Sequence, residues 1–93
     1  MTTPNYSKLP LGLQYGMKRY LENGSPTGDF LNAVLSNDLL GAVSRADDKN
    51  IKLLPEIVRW MHWEIPSNAW GSREKVKSWE DSFNPLDKKR MVG

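Results

Sequence analysis

Apolar residues recur at three- and four-residue spacings along most of this chain, and no stretch of useful length alternates as a strand would. Leu13, Met17, Tyr20 and Leu21 fall at i, i+4, i+7 and i+8, which predicts a helix from Pro10 to about Glu22. Gln14, Lys18, Arg19 and Glu22 form its wet side, and Asn23-Gly24 supplies a left-handed stop. Phe30, Leu31, Val34 and Leu35 mark a second helix, with Thr27 or Asp29 as its cap. Ser36-Asn37-Asp38 follows, three short polar residues that compete for backbone hydrogen bonds, and it reads as an interruption.

Asn37–Asp48 reads as a short amphipathic helix. Leu39, Leu40, Val43 and Ala46 form its apolar side, while Asp38, Gly41, Ala42 and Arg45 share the other. Asp47 to Asn50 closes that helix and caps the next, a long one from about Ile51 to Glu64. Ile51, Leu54, Val58, Met61 and Ile65 give the long helix a seam at spacings of 3, 4, 3 and 4. Trp60 and Trp63 lie off that seam near Glu56 and Arg59, an aromatic side that one chain's core need not cover. Pro55 is tolerable where the helix effectively begins near Leu53. Pro66 ends it, and Ser72 caps a short last helix, Arg73–Trp79, with Trp70 and Val76 placed as a hydrophobic staple.

The pattern predicts an all-α protein, a small bundle of about five short helices. Residues 1–9 read as a flexible N-terminal arm, 10–80 as one helical domain, and 81–93 as a loosely ordered polar tail. A domain this small has a thin margin of stability, and association of copies is a natural source of extra burial. Gly41 and Ala42 leave a helix face bare enough for a neighbouring subunit, with Trp63 and Trp79 as further interface candidates.

Composition narrows the chemistry. The chain has no cysteine and one histidine, which excludes thiolate and His-rich metal sites. Asp47-Asp48 reads as a helix terminus rather than a magnesium site, and neither glycine-rich nucleotide loop occurs. No cofactor is expected, and His62 between Met61 and Trp63 is poor support for an enzyme. No apolar run nears the roughly 20 residues that span a bilayer. With no secretory pattern at the N-terminus, a cytoplasmic protein is expected. A net charge of +2 is too small to argue for nucleic acid, and a recognition helix at Gly41–Arg45 would bring Asp38, Asp47 and Asp48 against phosphates. All four tryptophans lie between residues 60 and 79, near several arginines. Arginine forks beside aromatic faces suit a planar anionic ligand. On that reading Arg45 and Arg73 contact phosphates, Trp60 and Trp70 wall or stack, and Asn37 or Asp38 reads base edges. Ser72 adds free backbone N–H groups at a helix start.

Tyr20-Leu-Glu-Asn-Gly24, Gly28 to Leu35, Asn37-Asp-Leu39, Arg45-Ala-Asp47, Ile57-Val58, Trp60, Pro66 and Trp70-Gly-Ser72 together resemble a group of small uncharacterised phage and prophage proteins. The likeness covers about residues 20–79 and carries no assigned site. It implies a phage-encoded protein acting inside a bacterium. Small phage proteins often neutralise host defences, some by sequestering cyclic-nucleotide alarm signals in pockets between subunits. The expectation is therefore a non-enzymatic counter-defence homo-oligomer that sequesters a nucleotide second messenger. An inhibitor that binds a host protein through a tryptophan-rich surface is the alternative, and a small DNA-binding regulator comes third.

Overall fold

The structure, a computed structural model, describes residues 4–83. Five α-helices run in order: α1 Leu11–Asn23, α2 Asp29–Leu35, α3 Leu39–Arg45, α4 Asp48–Glu64 and α5 Arg73–Ser82. Short 3-10 turns at Tyr6–Lys8 and Ser67–Ala69 precede α1 and α5, and the described residues contain no strand. The expected all-α class and helix number are present.

Local chemistry explains most of the boundaries. Gly24 ends α1 at φ 71°, and its N–H donates to the Tyr20 carbonyl at 3.0 Å. The Phe83 ring lies 2.6 Å from where a Cβ on Gly24 would stand, so this position needs glycine for both its dihedral and its bareness. Asn37 is also left-handed, at φ 61°. Its N–H donates to Val34 O at 3.1 Å and that of Asp38 to Ala33 O at 2.8 Å, which is the Schellman closure of α2. The interruption expected at Ser36–Asp38 is this motif. Asp38, Asp47 and Ser72 cap α3, α4 and α5 by accepting from Gly41, Asn50 and Lys75 N–H. The cap expected on α2 is absent. Gly28 is its N-cap residue, Asp29 lies in the first turn, where its charge meets the helix dipole, and the Thr27 hydroxyl is buried without a partner.

Two helices are rotated from the expected faces. On α3, Leu39, Leu40 and Val43 point to solvent, while Gly41 and Ala42 are buried. The Schellman turn sets this rotation, because it carries the chain straight from α2 into α3 and turns the small residues inward. Gly41 and Ala42 are thus covered within their own chain, which does not suit the subunit contact expected of them. On α4 the buried stripe is Ile57, Trp60, Met61 and Ile65, and Ile51 and Val58 are exposed. Met61 and Ile65 of the expected seam are buried and Leu54 packs against the core, but Ile57 replaces its apolar neighbour Val58, and Trp60 joins the buried side. α4 also starts earlier, at Asp48, and runs through Pro55. The carbonyl that Pro55 leaves without a donor belongs to the exposed Ile51, where solvent can serve it.

Tyr20 ties the two ends of this core. It is fully buried, its hydroxyl donates to Ala69 O at 2.5 Å, and its carbonyl accepts from Trp79 Nε1 at 2.9 Å. Gly71 N–H adds a 2.7 Å bond to Leu35 O, so the segment entering α5 is held on α1 and α2. The N-terminal residues from 4 onward are docked rather than free. Leu9 is buried, Trp60 Nε1 donates to Asn5 O at 2.8 Å, and Asn5 N–H donates to Glu64 at 2.9 Å. α5 extends to Ser82, three residues past the expected end, with Phe83 edge-on to Trp79. The expected tail beyond Phe83 lies outside the described residues.

Replacing Gly24 with alanine should cost about 1–2 kcal/mol for the left-handed dihedral alone, more once Phe83 is displaced, as read from urea melts. Burial, aided by the charge of Glu80, pushes the Tyr20 phenol well above its ordinary value of 10.0. The folded state holds that proton more tightly, so this stabilisation is whole below pH 10.0 and is lost progressively above it. Tyr20→Phe should cost about 1–2 kcal/mol near neutrality and flatten the stability loss above pH 10.0, measured by denaturant titration across pH.

Candidate functional site

The residues expected to bind a ligand separate into two places. Asn37, Asp38, Arg45, Ser72 and Arg73 gather where the α2–α3 turn meets the start of α5. There Asp38 accepts Gly41 N–H at 3.0 Å and pairs with Arg73 at 3.3 Å. Its carboxylate also fills the space a Gly41 Cβ would need, and the Arg45 guanidinium lies 3.0 Å from that same point. An acid therefore already sits between the two arginines. Asn37 serves the turn through its backbone, and the Ser72 hydroxyl is taken by its capping bond to Lys75 N–H at 3.1 Å. The nearby cleft, lined by Val34, Leu39, Ala42, Leu54 and Val58 with Asn37 and Asp38, has about 50 Å³. That is little more than one water's share of roughly 30 Å³ and far too small for a base.

Trp70 is half-buried against the core and borders none of these hollows. Trp79 spends its N–H on Tyr20 and its ring on Tyr20 and Phe83, at centroid distances of 6.3 and 5.2 Å. Trp60 is 5% exposed, with its ring tilted against Tyr6 at 5.9 Å. Trp63 alone of the four is mostly in solvent, 75% exposed. His62 stands edge-on to it at 4.9 Å, which limits its swing.

Trp60 and Trp63 meet in a different site. Together with Lys8, Glu56, Arg59 and Glu64 they line an open groove of about 310 Å³ between α4 and the first 3-10 turn. This is the lower end of the size range of small-ligand pockets. Trp60 makes a rigid wall, since it is held by Asn5 and Tyr6, and Trp63 offers a free ring. Glu64 is engaged by Asn5 N–H. Neither Lys8 nor Arg59 belongs to either ion pair formed among the described residues, Asp38–Arg73 and Lys77–Asp81. A broader hollow of about 400 Å³ at Asp48, Lys49, Lys52 and Leu53 has no aromatic wall. The signal for the groove was the spacing of Glu56, Arg59, Trp60 and Trp63 along one helix side. Lys8 could not be foreseen, because it arrives with the docked N-terminal turn.

No group of three or more His, Cys, Asp or Glu side chains among the described residues is placed to hold a metal ion. No described helix is long and apolar enough to cross a membrane. Comparison with known proteins finds no matching family model, curated protein or solved structure. What fold and groove define together is an all-α chain with one mixed-charge, tryptophan-walled surface site.

The two groove tryptophans should behave in opposite ways on truncation. Trp60→Ala should cost about 3–5 kcal/mol in a chemical melt, because it empties the core and frees the N-terminal turn. Trp63→Ala should stay within about 0.5 kcal/mol of the native chain.

Proposed function

We propose that this chain is a non-enzymatic binding protein that holds a nucleotide-type anion in the groove between α4 and the N-terminal turn. The observation that carries this reading is the exposed indole of Trp63 beside two cations, Arg59 and Lys8, in a groove of ligand size. A base stacking on one aromatic ring is worth about 1–3 kcal/mol, and a guanidinium meets phosphate oxygens bidentately. Glu56 is the remaining acid in the groove and can accept from a base amine or a ribose hydroxyl. In the setting that the resemblance to phage proteins implies, such binding would sequester a nucleotide second messenger of host immunity. The reading moves the phosphate contacts from Arg45 and Arg73 to Arg59 and Lys8, since Asp38 already occupies the first pair.

A second reading, an inhibitor that docks on a host protein, is favoured by the same exposed Trp63, because buried tryptophan anchors dominate many interfaces. It no longer rests on a tryptophan-rich surface, as Trp60 and Trp79 are committed to the core and its staple. The DNA reading loses support from α3, whose outward side holds Leu39, Leu40 and Val43 where a groove-reading helix carries polar donors.

Calorimetric titration of the full chain with cyclic di- and trinucleotides and mononucleotides tests the proposal. Binding to at least one should weaken about tenfold or more in Arg59→Ala and change little in Arg73→Ala. No heat from any of them at ligand concentrations of about 1 mM, or equal weakening by the two variants, would overturn it.

A further inference from the structure

The turn that brings Lys8 to the groove is lightly fastened. No residue from Pro4 to Lys8 is buried. Leu9, 3% exposed and with its carbonyl taken by Gln14 Nε2 at 2.9 Å, anchors the segment to the core. Beyond that anchor α4 holds it through Trp60 and Glu64, one helical turn apart. The Asn5 backbone gives its N–H to Glu64 and takes the Trp60 indole N–H on its carbonyl, and the Tyr6 ring leans on Trp60. Within itself the turn is better organised. Asn5 Oδ1 accepts the Ser7 N–H at 3.3 Å and the Ser7 hydroxyl at 2.6 Å, and the Leu9 N–H donates to the Tyr6 carbonyl at 3.0 Å. An exposed segment held together by its own bonds lifts as one piece, at far lower cost than global unfolding.

One side chain works against docking. The Tyr6 hydroxyl reaches neither solvent nor, among the described residues, a hydrogen-bond partner. Leaving it dry and unpaired weighs against the docked form by a factor of about five or more, and lifting returns it to water. Lifting also changes the groove. Lys8 leaves it, and the Glu64 carboxylate loses its Asn5 donor. The open groove has one cation fewer and one more uncommitted acid, a balance that disfavours an anion.

We infer that residues 4–8 form a strap, hinged at its Leu9 end, that opens as a unit while the helices stay folded, and that its closed form is the one that takes an anion. The second clause rests on the proposed use of the groove; the first does not. An anion that binds only the closed form must hold the strap shut, because the two equilibria are linked.

Hydrogen exchange of the ligand-free full chain, followed by nuclear magnetic resonance, tests the strap. The Asn5 amide and the Trp60 indole N–H should exchange together, about tenfold or more faster than the amide of the fully buried Met61. Tyr6→Phe, which removes the dry hydroxyl, should slow both about fivefold or more, and Glu64→Ala should speed both. Exchange as slow as that of Met61, or two probes that respond differently to Tyr6→Phe, overturns the strap. Repeating the exchange with a cyclic dinucleotide at about ten times its dissociation constant tests the coupling, and both probes should slow about tenfold. A dinucleotide that binds without slowing them overturns the coupling. A chain that binds no dinucleotide fails the groove reading and the coupling with it, while the strap stands or falls on the ligand-free rates.

Discussion

Tyr20 is the residue on which the arrangement depends. Its hydroxyl and its carbonyl each hold a segment about fifty residues or more away, at Ala69 and Trp79. The segments held are short: a single 3-10 turn and a ten-residue helix. Helices of that length are marginal alone in water, so their position comes from tertiary contacts. With the Gly71–Leu35 bond they are fixed on α1 and α2, and that fixes where α4 must end. Trp60 turns down onto the N-terminal turn, and Trp63, less than one helical turn on, is left in solvent.

Elements with strong local chemistry were legible in the residues. The stop at Gly24, the break at Ser36–Asp38 and the caps at Asp47 and Ser72 each come from local chemistry between a residue and its nearby backbone, so no distant partner is needed to foresee them, whereas Asp38, read as lying within its helix, proves to be the cap. The apolar sides of α1 and α2 were legible too, since each has one continuous stripe. The rotations of α3 and α4 were not. Both helices carry apolar residues on more than one side, and period alone cannot say which of Ile57 and Val58 faces in. The candidate site suffered for the same reason. Asn37, Asp38, Arg45, Ser72 and Arg73 do come together, but structural bonds employ most of them. Trp60 is separated from them, and its groove partner Lys8 depends on a docking of the N-terminal turn that the apolar spacing of Tyr6 and Leu9 only hints at.

The outcome is a division of labour along α4. One side completes the core, one borders the cleft beside α3, and one carries Glu56, Arg59 and Trp63 in the groove. The exposed groups on these surfaces differ in kind. The α3 side is branched and aliphatic, with Leu39, Leu40 and Val43 exposed. The groove is aromatic and cationic with one uncommitted acid, which suits a small planar anion.

The most direct measurement is residue-resolved nuclear magnetic resonance during titration with a cyclic dinucleotide. Four indole N–H signals report separately on the groove, the core and the Tyr20 staple. The account predicts large shifts for the Trp63 indole and for backbone amides at Lys8 and Arg59, with the Trp79 indole unmoved. Shifts centred instead on Asp38, Arg45 and Arg73, or none at saturating ligand, would contradict it.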